Sequence, residues 1–153
     1  MTLFDERPIR PMMAKTGEPF DSDDFIFEPK WDGLRALLFK QGRKLELQNR
    51  NLRDGTGGYP ELQQLKTSIR ARSAIIDGEV VILDEKGLPD FVKMQSRFGI
   101  SDPREATALG KTLPATYVAF DLLHLNSKDL VSRPLEERKS RLRTIVREGP
   151  HLL

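Results

Sequence analysis

The residues best suited to chemistry stand together in Glu28-Pro29-Lys30-Trp31-Asp32-Gly33-Leu34-Arg35. A lysine has a carboxylate two residues to either side, and an arginine follows. Ammonium and guanidinium groups meet phosphate oxygens, and the planar guanidinium can do so with two hydrogen bonds. The plainer alternative is a charged β-turn in which Gly33 supplies a positive φ. A second group, Asp77-Gly78-Glu79, interrupts the most apolar stretch of the chain, Ile75 to Leu83. Carboxylates in a buried strand are costly unless paired or put to use. Asp77 and Glu79 fall on one face by the two-residue period of a strand. Gly110-Lys111-Thr112 imitates the end of a phosphate-binding P-loop. Glu105 stands where that motif needs glycine, and Pro114 interrupts the helix that should follow, so the likeness is discarded.

Positioning these residues is the task of a chain of 153 residues, a length that suggests one domain. Hydrophobic residues at 38% and charged residues at 31% exclude general disorder. No apolar run is long enough to cross a membrane, and Met1 to Arg10 lacks the apolar core of a signal peptide. With no cysteine, disulfides, thiolate metal sites and cysteine nucleophiles are excluded. His124 and His151 lie too far apart for a histidine-rich metal site, and a cytoplasmic setting is the default. The net charge of +2 hides a basic middle, with nine basic and four acidic residues between 31 and 75. Such a segment could meet phosphates, or be an ordinary solvated face.

Residues 1–24 read as an extended arm. Phe25-Ile26-Phe27, closed by Pro29, reads as a strand leading into Lys30. Arg35 to Phe39 and Lys44 to Gln48 read as a hairpin around Gln41-Gly42. Pro60 suits the first turn of a helix that Leu62, Leu65 and Ile69 continue. Strands follow over Ile75 to Leu83 and Tyr117 to Leu125, with a short helix from Phe91 to Phe98 between them. A last helix runs from Pro134 to Arg147. The predicted fold class is α+β, a largely antiparallel sheet with flanking helices. Ending at Leu152-Leu153 soon after a helix, the chain is expected to stop inside a larger domain.

Lys30-Trp31-Asp32-Gly33-Leu34-Arg35 resembles the Lys-x-Asp-Gly-x-Arg signature of covalent nucleotidyltransferases: ATP-dependent DNA ligases, RNA ligases and mRNA capping enzymes. Further matches follow in order. Asn49-Arg50-Asn51 resembles the family's Ser-Arg-Asn-Gly element, and Asp77-Gly78-Glu79 its Asp-Gly-Glu strand. Phe91 to Arg97 resembles Phe-x-x-Leu-Gln-x-Arg, Phe120-Asp121-Leu122-Leu123 resembles Phe-Asp-Leu-Leu, and Pro134 to Arg138 resembles Pro-Leu-x-Glu-Arg. The set is most similar to bacterial repair and end-joining DNA ligases, and covers the chain from about Pro11 onward.

The resemblance implies an ATP-grasp-like adenylation domain, partial here over residues 25–153. Lys30 would attack the α-phosphate of ATP to form lysyl-AMP, for transfer to a 5′-phosphate of nicked or broken duplex DNA. Attack needs a neutral amine, and only about one unperturbed lysine in 2,500 is neutral at pH 7. Cationic charge, metal or desolvation must therefore favour the neutral form. Arg35 and Arg50 would meet the ribose and phosphates. Glu79 would accept from the ribose hydroxyl or lie near Mg²⁺, Phe120 would stack on adenine, and Glu28 would meet its amino group. Asp32 and Gly33 would order the turn. The sequence departs from the family with Asn49 for Ser and Leu52 for Gly, which puts the loop around Arg50 in question. The family's later Glu-Gly-x-x-x-Lys strand, its final lysine motif and the OB-fold are not in this sequence. A missing C-terminal part or a partner chain would complete the enzyme. The competing expectations are a non-catalytic nucleotide- or DNA-binding module, and an RNA ligase.

Overall fold

The structure is a computed structural model and describes residues 2–153. The hairpin forms as its alternation requires. Strands β1 (Leu34–Gln41) and β2 (Lys44–Asn49) pair antiparallel, Gln41 opposite Lys44. The two-residue connection places Gly42 at φ 58°, a region that glycine enters without a Cβ penalty. The longest apolar run becomes β3 (Ser73–Ile82), which pairs with β1 on one side and β4 (Ala115–Leu125) on the other. A two-residue strand, β5 (Lys128–Asp129), follows the turn at Asn126-Ser127, where φ is 46° and 72°. The sheet runs β2-β1-β3-β4-β5 and every pairing in it is antiparallel. The predicted antiparallel α+β class is what folds.

Four helices are labelled here: α1 (Leu65–Ser68), α2 (Phe91–Gln95), α3 (Pro103–Thr112) and α4 (Leu135–Ile145). Three expectations need correction. The helix read from Pro60 to Ile69 is a 3₁₀ turn, Pro60–Gln64, followed by the single turn α1; Ile69 is already extended and bridges to Val146. Helix α3 was not predicted. It buries only Ala106, yet its start is well marked: Asp102 caps it, accepting from Arg104 N at 2.7 Å, and Pro103 occupies the first turn. Phe25-Ile26-Phe27 forms no strand. All three side chains are exposed, Phe25 and Phe27 by about 60%, and the Phe20 ring contacts those of Phe25 and Phe27 instead.

The sheet has a thick side and a thin side. On the thick side Leu38, Ile76, Val80 and Leu122 meet Leu62, Met94, Leu142 and Ile145 in the main core. On the thin side Leu37, Phe39 and Ile75 are covered by Leu3, Phe4 and Ile9. The segment read as an arm is therefore docked at its start: Ile9 exchanges hydrogen bonds with the Gln48 side chain, at 3.0 and 2.5 Å. Tyr117 crosses the core completely buried, its hydroxyl 2.9 Å from the carbonyls of both Ala36 and Ile76. Gly78 makes the crossing possible, because a Cβ there would lie 2.4 Å from the Tyr117 ring.

Candidate nucleotide site

Strand alternation puts Arg35, Asp77 and Glu79 on the thin side of the sheet. Arg35 stands opposite Glu79 in the register, and Asp77 opposite Asp121. Arg35 grips Asp77 through two bonds, Nε to Oδ1 at 2.6 Å and Nη2 to Oδ2 at 2.7 Å. Arg138 of α4 does the same to Asp121, at 2.8 and 2.9 Å. This answers how Asp77 and Asp121 are accommodated: each has a bidentate guanidinium partner. Arg35 pairs with Asp77 across the sheet and not with Asp32.

Glu79 lacks such a partner. Burial pushes its carboxyl above the ordinary range, with Arg35, the Gly33 amide and Lys30 pulling partly the other way. Burial likewise raises Asp77 against the pull of Arg35. Holding Glu79 ionised therefore costs stability at neutral pH, a cost relieved as pH falls below its raised pKa.

Lys30 sits in the irregular loop before β1 with its side chain 87% exposed. Its ammonium donates to Asp32 Oδ1 at 2.5 Å. That hydrogen bond, then the charge of Asp32 and more weakly that of Glu79, hold the amine above the ordinary lysine range. The expectation of a lysine eased toward its neutral form is reversed here: Lys30 is exposed and its neighbours are anionic.

Gly33 has a different purpose from the one its sequence suggests. It is not among the residues with positive φ. A Cβ there would lie 2.1 Å from the Val80 carbonyl oxygen and 2.9 Å from Val81 Cγ1, so glycine lets the Lys30 loop press against β3. Gly33→Ala is expected to push that loop off β3 and remove most nucleotide-dependent activity, while the thermal midpoint falls by less than a core truncation would cost. Parallel activity and melting measurements check it.

Phe120 carries the Arg35 guanidinium over its ring at 4.6 Å. Glu28 lies beside it in a cavity of about 450–500 Å³ that Arg35, Asp77 and Phe120 also line. Arg50 leaves β2 just after Asn49, which pairs with Ala36, so it emerges at the Arg35 end of the hairpin. It is exposed, and among the described residues its side chain forms no ion pair. Its loop is ordered despite the two unusual residues: Asn49 Oδ1 accepts from Asn51 N at 2.9 Å and Arg53 N at 3.1 Å. Leu52 adopts φ 64°, a conformation glycine would enter more readily.

The fold thus gathers Glu28, Arg35, Glu79 and Phe120 around the start of β1, with Lys30 beside them and Arg50 at the margin. Two residues of this neighbourhood were missed in the sequence. Arg138 was visible only as part of a helix-start motif. Lys139, whose ammonium donates to the Glu28 carboxylate and to the Phe120 carbonyl at 2.7 Å, gave no local signal at all.

DNA ligase C of Mycobacterium tuberculosis (strain ATCC 25618 / H37Rv) is 39% identical over 137 residues, covering 88% of this chain and 37% of that protein. DNA ligase C2 of Mycolicibacterium smegmatis is 36% identical over 144 residues, covering 94% of this chain and 40% of that protein. A solved structure of mycobacterial DNA ligase D complexed with ATP and MES superposes with a TM-score of 0.64 at 32% identity, covering 76% of this chain and 35% of that one. The chain thus spans about two fifths or less of the proteins it matches. The family described as ATP dependent DNA ligase domain matches residues 10–153, and to that family the chain belongs.

Proposed function

We propose that this chain is the nucleotide-activating part of an ATP-dependent DNA ligase. Lys30 Nζ attacks the α-phosphorus of ATP, the bond to the β-phosphate oxygen breaks, and pyrophosphate leaves. The AMP then passes from lysine to the 5′-phosphate of nicked or broken duplex DNA, and a 3′-hydroxyl displaces it to seal the strand. What carries this reading is the placement of Lys30 by a glycine-pinned loop beside Arg35 and Glu79 on one sheet face.

In this reading Phe120 is the stacking surface for adenine and Glu28 accepts from its amino group. Arg35 and Arg50 meet the ribose and phosphates. Asp32 hydrogen-bonds the ammonium and orders the turn around it, and the proton that must leave before attack passes to solvent. Magnesium on the phosphates would neutralise their charge. The residues fit a metal brought in that way. Asp77 and Asp121 are occupied by arginines, Asp32 by Lys30 and Glu28 by Lys139, so Glu79 is the site carboxylate with no ion pair among the described residues, and no cluster of three metal-ligating side chains occurs among them. The test is an intact-mass spectrum after incubation with ATP and Mg²⁺, in which the chain gains one AMP.

One observation favours a second reading, a module that binds nucleotide or DNA without reacting: the Lys30 amine is held protonated by Asp32. The pH dependence of labelling separates the two. Asp32 raises the lysine pKa, so removing its charge lowers that pKa and makes more neutral amine at a given pH. Asp32→Asn is expected to move the rising limb of the labelling rate to lower pH. Binding of ATP with no adduct at any pH would favour the silent module.

A further inference from the structure

Lys139 is the one lysine whose ammonium ties two separate parts of the candidate base pocket together. It projects from α4, and its side chain is only 11% exposed. It donates to Glu28 Oε1, in the loop before Lys30, and to the Phe120 backbone carbonyl on β4 at 2.7 Å. The three residues line a common cavity of about 390 Å³, with Phe27 and Leu142 among its apolar walls. Arg35 covers one face of the Phe120 ring, so a flat ligand can stack only on the other. A bare aromatic face beside a carboxylate suits a planar base that carries an exocyclic amino group, because a carboxylate accepts hydrogen bonds and cannot donate them. It equally disfavours a base that presents a carbonyl oxygen at that place, since two acceptors would face each other.

We propose that Lys139 is the positioning residue that sets base specificity at this site. By engaging Oε1 it keeps the Glu28 carboxylate turned so that Oε2 remains free to accept from the 6-amino group of a purine. By engaging the Phe120 carbonyl it holds the ring at a fixed height relative to that oxygen. Without it Glu28, 44% exposed on an irregular loop, would swing toward solvent. Lys139 acts through Glu28 and Phe120 and does not itself touch the reacting phosphate. This rests on the nucleotide reading given above and deepens it.

The chain contains a single tryptophan, Trp31, next to Lys30, so its fluorescence reports on the same loop. Equilibrium titrations of the 153-residue chain with ATP and with GTP, on the parent and on Lys139→Met, Lys139→Arg, Glu28→Ala and the Lys139→Met/Glu28→Ala double variant, test the proposal. Lys139→Met is expected to weaken ATP binding about 10-fold while GTP binding changes little, so the preference for ATP collapses. Lys139→Arg should restore most of it. The double variant should bind ATP no worse than Glu28→Ala, because both changes remove one device. Thermal melts of each variant separate this from general loosening. Equal weakening toward ATP and GTP, or additive losses in the double variant, would overturn the proposal while leaving the nucleotide reading intact. Absence of ATP binding by the parent chain would overturn both.

Discussion

A Lys30→Ala variant incubated with ATP and Mg²⁺ is expected to show no AMP adduct under conditions where the parent gains one. The loss should be at least about 10⁴-fold in labelling rate, because removing a nucleophile leaves no bond-forming atom behind. Lys30→Arg should be equally inactive, since an arginine keeps the charge but is never deprotonated in this pH range. Folding should be untouched. The Lys30 side chain is 87% exposed and its one ion pair, to Asp32, is largely solvated, so melting curves of both variants should overlay that of the parent. Because the chain spans 37% of a relative such as DNA ligase C, the comparison is made on this chain and on the chain extended with the remaining ligase segment. An adduct on Lys30→Ala, formed at any comparable rate, would remove Lys30 from the reaction.

The second large effect is on stability. Glu61→Ala is expected to cost about 4 kcal/mol, seen as a fall in melting temperature of roughly 8–16 °C. Arg97 is completely buried, and Glu61 meets both of its terminal nitrogens, at 2.9 and 3.3 Å. The same carboxylate accepts from the Ala115 amide at 3.0 Å, the first residue of β4. Removing it strands a buried guanidinium and a buried amide together, with the Leu113 and Gly58 carbonyls and the Tyr59 ring still engaging the arginine. Glu61 makes no hydrogen bond or ion pair with Lys30 among the described residues, but its partner Arg97 shares a cavity with Leu34 and Arg35. Nucleotide labelling below the new melting point should therefore persist at a reduced rate. A melting shift of only a degree or two would mean that Arg97 finds water or another acceptor when Glu61 is gone.

These two residues show which parts of the molecule could be read from the chain. Lys30 announces itself because its neighbours in sequence are its neighbours in space: the loop is short, and Asp32 reaches the ammonium within two residues. Arg97 was visible as a motif letter, but nothing local says that it is buried against Glu61, 36 residues away. The hairpin was legible from the alternation of its return strand, and the two long strands from apolar runs that β3 buries on both faces. Helix α3 was marked by its Asp102-Pro103 start but holds few large apolar side chains and buries a single residue, Ala106. Phe25 to Phe27 misled because apolar residues near a proline mimic a strand, whereas no partner strand is there to pair with them.

Read alone, the sequence carried the family resemblance that makes Lys30 the candidate nucleophile, the expectation of an antiparallel α+β class and the strand face shared by Asp77 and Glu79. The first rests on matched motifs, the other two on the order of elements and the two-residue period of a strand. Tertiary structure alone decided that Arg35 pairs with Asp77, that Gly33 exists for close approach to Val80, and that Lys139 joins Glu28 to Phe120. Those arrangements depend on which strands lie side by side and on which helix crosses them. A guanidinium or an ammonium finds its acceptor across the sheet at 3 Å, however many residues of chain separate the two.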